Sequence, residues 1–108
     1  SVETNKGKYL YKTIVPRNLD RAIHDYEDIL KFVQTDHVIA YYCLAKAYSY
    51  KGNGKLVQKN MNKVEELLAD PKNKEWIEYF DKLVPKDEIN FLKNFSNKKT
   101  KPLKQSAS

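Results

Sequence analysis

Residues 41–53 read YYCLAKAYSYKGN, a helix-length run that carries five aromatic or thiol side chains and stops at a glycine. The chain around it is polar, with a mean hydropathy of −0.75, so its most apolar stretch lies in its middle. No segment alternates with period two over a useful length, and a glycine just past an apolar run is a common helix stop. The run reads as a helix. Its faces admit two readings: a core helix covered on both sides, or a helix showing part of an aromatic face to a ligand. An all-round apolar helix is usually a buried one.

Proline and glycine punctuation divides the rest into further helices. One spans about Glu3 to Ile14 and ends before Pro16. The next opens with Asn18 as N-cap and Asp20 in its first turn, where the helix dipole favours an anion. Its apolar residues Leu19, Ala22, Ile23, Tyr26, Ile29, Leu30 and Val33 recur at three- and four-residue steps, the mark of a one-sided helix. The central helix starts at Asp36 as cap and runs to Gly52. A fourth carries Leu56, Val57, Met61, Val64, Leu67 and Leu68 and ends at Asp70-Pro71. A fifth, from about Asn73, presents Trp76, Ile77, Tyr79, Phe80, Leu83 and Val84. The sixth begins near Pro85 and carries Ile89, Leu92 and Phe95. Connections of a few residues force neighbouring helices to run antiparallel. The expected fold is all-α: about six helices in stacked antiparallel hairpins.

The chain has 108 residues, enough for one small domain. Its single cysteine, Cys43, excludes an internal disulfide and a cysteine-based zinc site, and fits a reducing, cytoplasmic compartment. No uncharged run approaches a membrane span, and the N-terminus lacks a signal peptide's apolar core. The chain opens on Ser rather than Met, from which a piece of a longer protein is expected. The net charge of +6 is unevenly placed. Lys98, Lys99, Lys101 and Lys104 lie in the acid-free end SNKKTKPLKQSAS; with those four set aside, 16 of the 20 basic residues face 14 acidic ones. Residues 1–95 are therefore expected to form the helical domain, and 96–108 a basic flexible tail. Only Arg17 and Arg21 are arginines, although bidentate phosphate and base contacts favour Arg.

A shift of 35 residues aligns the chain with itself. Tyr41, Leu44, Ala45 and Tyr48 fall on Trp76, Tyr79, Phe80 and Leu83, while Ala22, Tyr26 and Ile29 fall on Val57, Met61 and Val64. Such a period marks stacked helical hairpins, each burying its apolar face against its neighbours. Tyr41, Leu44, Ala45, Tyr48 and Gly52, followed by Val57, Met61, Val64 and Pro71, resemble the tetratricopeptide repeat. The likeness is good over 38–71, moderate over 18–35 and weak over 73–95. Leu10 and Phe80 depart from the small residue that the family places in the column of Ala45. The Lys-rich, Arg-poor composition is similar in flavour to large bacterial regulators that sense signalling peptides through such repeats, arbitrium-type phage receptors among them.

The resemblance implies a concave groove lined by the first helix of each hairpin. Ile39, Tyr42, Lys46, Ser49 and Tyr50 would then face a peptide or protein ligand, and Tyr41, Leu44, Ala45 and Tyr48 would pack inward. The chaperone-tail clamp of that family needs a set of Lys and Asn residues. Lys46 is the basic residue placed in the groove, so carboxylate-tail binding is not expected. Tyr9, Tyr11, Trp76 and Phe91 at the ends of the array need cover, from self-association or from neighbouring repeats.

Other chemistry lacks a constellation. His24 and Asp28 share a helix face but lack the further ligands of a metal site. Cys43 has nothing local to lower its pKa. Gly52-Asn53-Gly54-Lys55 lacks the spacing and preceding strand of a P-loop and reads as a turn. No cofactor, metal or catalytic role is expected. The leading reading is a non-catalytic peptide- or protein-binding scaffold. The alternative is a nucleic-acid accessory domain whose tail lysines, Lys98, Lys99, Lys101 and Lys104, make nonspecific phosphate contacts.

Overall fold

The computed structural model describes residues 18–97, with side chains through Phe95. Within that span the regular structure is entirely helical. The helix expected over 3–14 and the basic tail from Lys98 onward lie outside the described residues.

Helix α1 (Leu19–Asp28) buries Ile23 and Tyr26, with Leu19 and Ala22 partly covered beside them. Asp20 in its first turn is met by Lys51 Nζ at 2.6 Å. The helix does not end at Asp28 but widens into a π turn over Ile29–Val33, closed by the Gln34 N–H on the Ile29 carbonyl at 2.9 Å. A π turn inserts a residue and breaks the three- and four-residue rhythm. Phe32 and Val33 consequently point outward, 75% and 62% exposed. Val33, expected on the apolar face, has left it.

Helix α2 (Val38–Tyr50) follows a short turn. Its cap is His37 rather than the expected Asp36: His37 Nδ1 accepts from the Ala40 N–H at 3.2 Å, while Asp36 accepts from the Gln34 side chain. Val38, Ile39, Ala40, Tyr42, Cys43, Leu44, Ala45, Ala47 and Ser49 are all buried, leaving α2 without a polar face. The helix stops in a Schellman arrangement. Gly52 takes φ 74°, its N–H bonds Ser49 O at 3.1 Å, and the Asn53 N–H bonds Tyr48 O at 3.0 Å. A residue with a Cβ would be strained there.

Asn53 then caps α3 (Gly54–Leu68), its side chain accepting from the Leu56 N–H. With so short a turn α2 and α3 run antiparallel, and they form the most extensive helix pair of the fold. Val57, Met61 and Val64 are the buried stripe of α3. Asp70 caps a 3₁₀ turn, Pro71–Asn73, and the Asn73 side chain donates to Leu67 O at 2.8 Å, tying the turn back to α3. Helix α4 (Lys74–Leu83) buries only Phe80; Trp76 stacks on His37 with ring centroids 4.8 Å apart. After Val84 and Pro85, α5 (Lys86–Asn97) lays Leu92 and Phe95 into the core. It runs two residues into the stretch assigned to the tail. Helix α5 lies mainly along α3, reinforced by Lys93 to Glu65 at 3.0 Å, and reaches α2 as well.

Helix α2 is thus the centre. Helices α1 and α3 flank it, and α4 and α5 close one side, so that all five contribute to one contiguous apolar core. No helix among the described residues is long and apolar enough to cross a membrane.

Candidate functional site

An open-sided cleft of about 360 Å³ runs between α1 and α3 with α2 as its floor. Tyr41, Leu44 and Tyr48, three and four residues apart, make the floor. Helix α1 contributes Glu27 and, from its π turn, Leu30 and Lys31; α3 contributes Leu56, Lys59 and Asn60. The volume falls in the lower part of the range for ligand pockets, about 300–1,000 Å³. The cleft exists because α1 and α3 both pack on α2 without packing closely on each other.

The two tyrosines are fixed by their hydroxyls. Tyr41 donates to Thr35 O at 2.9 Å, and Tyr48 to Glu27 Oε2 at 3.4 Å. Burial, and then the neighbouring Glu27 carboxylate, raise the Tyr48 pKa above its ordinary value, so the phenol remains a donor. Asn60 turns its amide to the Leu56 carbonyl of its own helix at 2.8 Å. What remains partly open to solvent is the two tyrosine rings, the wall leucines Leu30 and Leu56, one carboxylate and two lysine side chains.

The opposite side of α2 is filled. Ile39, Tyr42 and Ser49 are fully buried, not groove-facing. The Tyr42 ring meets Phe80 of α4 edge-on at 5.3 Å, and its hydroxyl donates to Glu88 Oε1 of α5. Lys46 Nζ lies 2.9 Å from Glu88 Oε2, with the two side chains only 12% and 20% exposed. Ser49 Oγ donates to the Lys46 carbonyl at 2.7 Å; Tyr50 is half-buried. Leu44 and Ala45 are buried as expected, but Ile39, Tyr42 and Ser49 are buried too and do not face a groove. Glu88 gives Tyr42 and Lys46 a carboxylate in the very place where open space was expected. Tyr41 and Tyr48, placed inward by the resemblance, border the cleft instead.

Leu30 and Leu56 were expected on apolar helix faces but not at a site, and Lys31 and Lys59 were not singled out at all. A signal for Lys59 exists: no acid occurs from Lys55 to Lys63, and Lys55, Lys59 and Lys63 form one i, i+4 stripe. Lys31 carries the opposite signal, since Glu27 stands four residues before it. Lys31 nevertheless makes no ion pair with it, and Glu27 accepts from the Tyr48 hydroxyl.

Cys43 is buried where α1 meets α2. Burial pushes its thiol from 9.0 up to about 12, against the opposing effect of a hydrogen bond from Tyr26. In the unfolded chain the thiol ionises first, so the folded state holds a proton that the unfolded state has lost. Stability is fully present below pH 9 and declines toward pH 12, by up to about 1.4 kcal/mol per pH unit from this group. Urea unfolding of the protein and of Cys43→Ala between pH 8 and 11 measures it: the wild type is expected to lose stability faster than the variant above pH 9.

His24 lies 3.4 Å from Asp28 on the exposed side of α1. Trp76 and Phe91, expected to need cover from a second copy or from neighbouring repeats, are partly covered within the chain by His37 and by Phe95. Comparison with protein-family models, with curated proteins and with solved structures finds no match.

Proposed function

We propose that this is a non-catalytic helical scaffold that binds a peptide or protein segment in the cleft between α1 and α3. The observation that carries the reading is the pair Tyr41 and Tyr48. They stand beside an unfilled aliphatic floor with hydroxyls already bonded, so their rings are held in place before any ligand arrives. Preorganised aromatic area is what binding surfaces use to gain affinity at low entropic cost. A tetratricopeptide-like stack is the finer architecture we favour. Successive α1–α2 and α2–α3 hairpins support it, as does the burial of both Ala45 and Phe80 one period apart. The docking of α5 along α3 is the feature such a stack accommodates least well. A role in a peptide-responsive regulator in a reducing, cytoplasmic compartment fits a buried cysteine that is not in a disulfide.

The test is selection from a displayed random peptide library, followed by affinity measurements of the enriched peptides on Tyr41→Ala and Tyr48→Ala. Each substitution is expected to weaken binding by roughly 1–2 kcal/mol, as truncated aromatic anchors do, with the thermal melt confirming that both variants fold. Enriched peptides that bind both variants as well as the wild type would place the site elsewhere.

A further inference from the structure

The cleft carries two lysines against one acid in its lining, Lys31 and Lys59 with Glu27; Lys55, Lys74 and Lys82 elsewhere also lack an ion pair among the described residues, but they do not line an apolar cleft. Lys46, Lys51, Lys63 and Lys93, which share its helices or lie against them, each reach a carboxylate, at 2.9, 2.6, 3.4 and 3.0 Å. Lys31 and Lys59 reach none among the described residues. They stand on opposite walls, one on the π turn after α1 and one on α3, with the aliphatic floor between them. Lys31 lies 5.6 Å from the Phe32 ring centroid, a contact that leaves its ammonium free for an anion. Lys55, one turn before Lys59 on the same stripe, is also without a carboxylate. Among the described residues the one acid of the rim is Glu27, which accepts from the Tyr48 hydroxyl at 3.4 Å. One feature of the chain accounts for part of this arrangement: the acid-free stretch 55–63 gives Lys59 no partner along its own helix.

From this we infer that the occupant of the cleft is a segment with a bulky apolar side chain flanked by acidic residues. The inference rests on the binding reading above and specifies its ligand. The apolar side chain enters between Tyr41, Leu44 and Tyr48, and carboxylates on either side of it meet Lys31 and Lys59. The occupant is held by internal acidic side chains on the face of α2 opposite Lys46. Charges placed at a rim act mainly on encounter rate and salt dependence, and they select against basic competitors.

The test uses three fluorescein-labelled synthetic peptide pools, each with a central Phe or Leu and with flanks drawn from Asp and Glu, from Asn and Gln, or from Lys and Arg. Anisotropy is read at low and at moderate salt, on the full chain, on Lys31→Gln/Lys59→Gln and on a control, Lys74→Gln/Lys82→Gln. The acidic pool is expected to bind about tenfold tighter than the neutral pool and to lose that advantage in the double variant and in salt. The control is expected to behave as the wild type. Equal binding of the acidic and neutral pools, still weakened by Tyr48→Ala, overturns the charge inference and leaves the cleft reading standing. Binding of any pool that is indifferent to Tyr48→Ala, or no binding by any pool, overturns both. A short DNA duplex that displaces the acidic pool and itself depends on Lys31 and Lys59 assigns the lysines to phosphate and overturns the inference.

Discussion

Replacing Tyr42 with alanine is expected to destabilise the protein by about 3–5 kcal/mol, the range for truncating a large buried aromatic. The ring has no exposed surface; it packs edge-on against Phe80 and carries the hydroxyl that donates to Glu88. Two losses add: a cavity at the junction of α2, α4 and α5, and a carboxylate that keeps Lys46 but loses its phenol. Tyr42→Phe separates them. It preserves the packing and removes the donor, which costs about 1.5–3 kcal/mol for a hydrogen bond to a charged group. Tyr48→Ala, on the cleft side, is expected to cost clearly less than Tyr42→Ala. Urea unfolding of the three variants decides the phase of α2. If Tyr48→Ala is the more damaging, Tyr42 does not face the core.

Phe95→Ala carries the second large effect, about 3–5 kcal/mol by the same reasoning. Phe95 is 2% exposed and lies against Phe91 at 5.9 Å and against the start of α3, within 3.7 Å of where a Cβ on Gly54 would stand. This side chain fastens the last described turns of the chain to the α2–α3 hairpin. A loss under about 1 kcal/mol, as for most surface substitutions, would show that α5 is an appendage and not part of the core.

Much of the helix order was legible because its signals are local. Gly52, Asn53, the Asp70-Pro71 pair and Pro85 act through the backbone of their immediate neighbours, and the helices begin and end at them. The one-sided pattern of α1 likewise names its buried face through Tyr26. Three things were not legible, each for a different reason. The choice of His37 over Asp36 as cap turns on one residue of register, and both side chains can accept from a free N–H. The π turn is a departure from the periodicity on which the reading of α1 rests, so the pattern counted Val33 among the buried residues. The orientation of α2 is the deepest case. A helix apolar on every side carries no internal mark of which side stays open; that is decided by where α5 comes to rest, its Glu88 lying 46 residues after Tyr42. Tyr42 is buried because Glu88 arrives over it. Tyr41 and Tyr48 border a cleft because no described helix arrives over them.

The absence of a polar face on α2 also bears on how the molecule opens. A helix buried on nearly every side cannot detach without exposing the surfaces of its neighbours, so its amides exchange with solvent hydrogen only when the whole domain comes apart. Helix α4, which commits a single fully buried side chain to the core, can lift away while the rest stays shut. The chain therefore contains two grades of persistence, with an inner hairpin that opens all at once and a looser cover whose openings are frequent and partial.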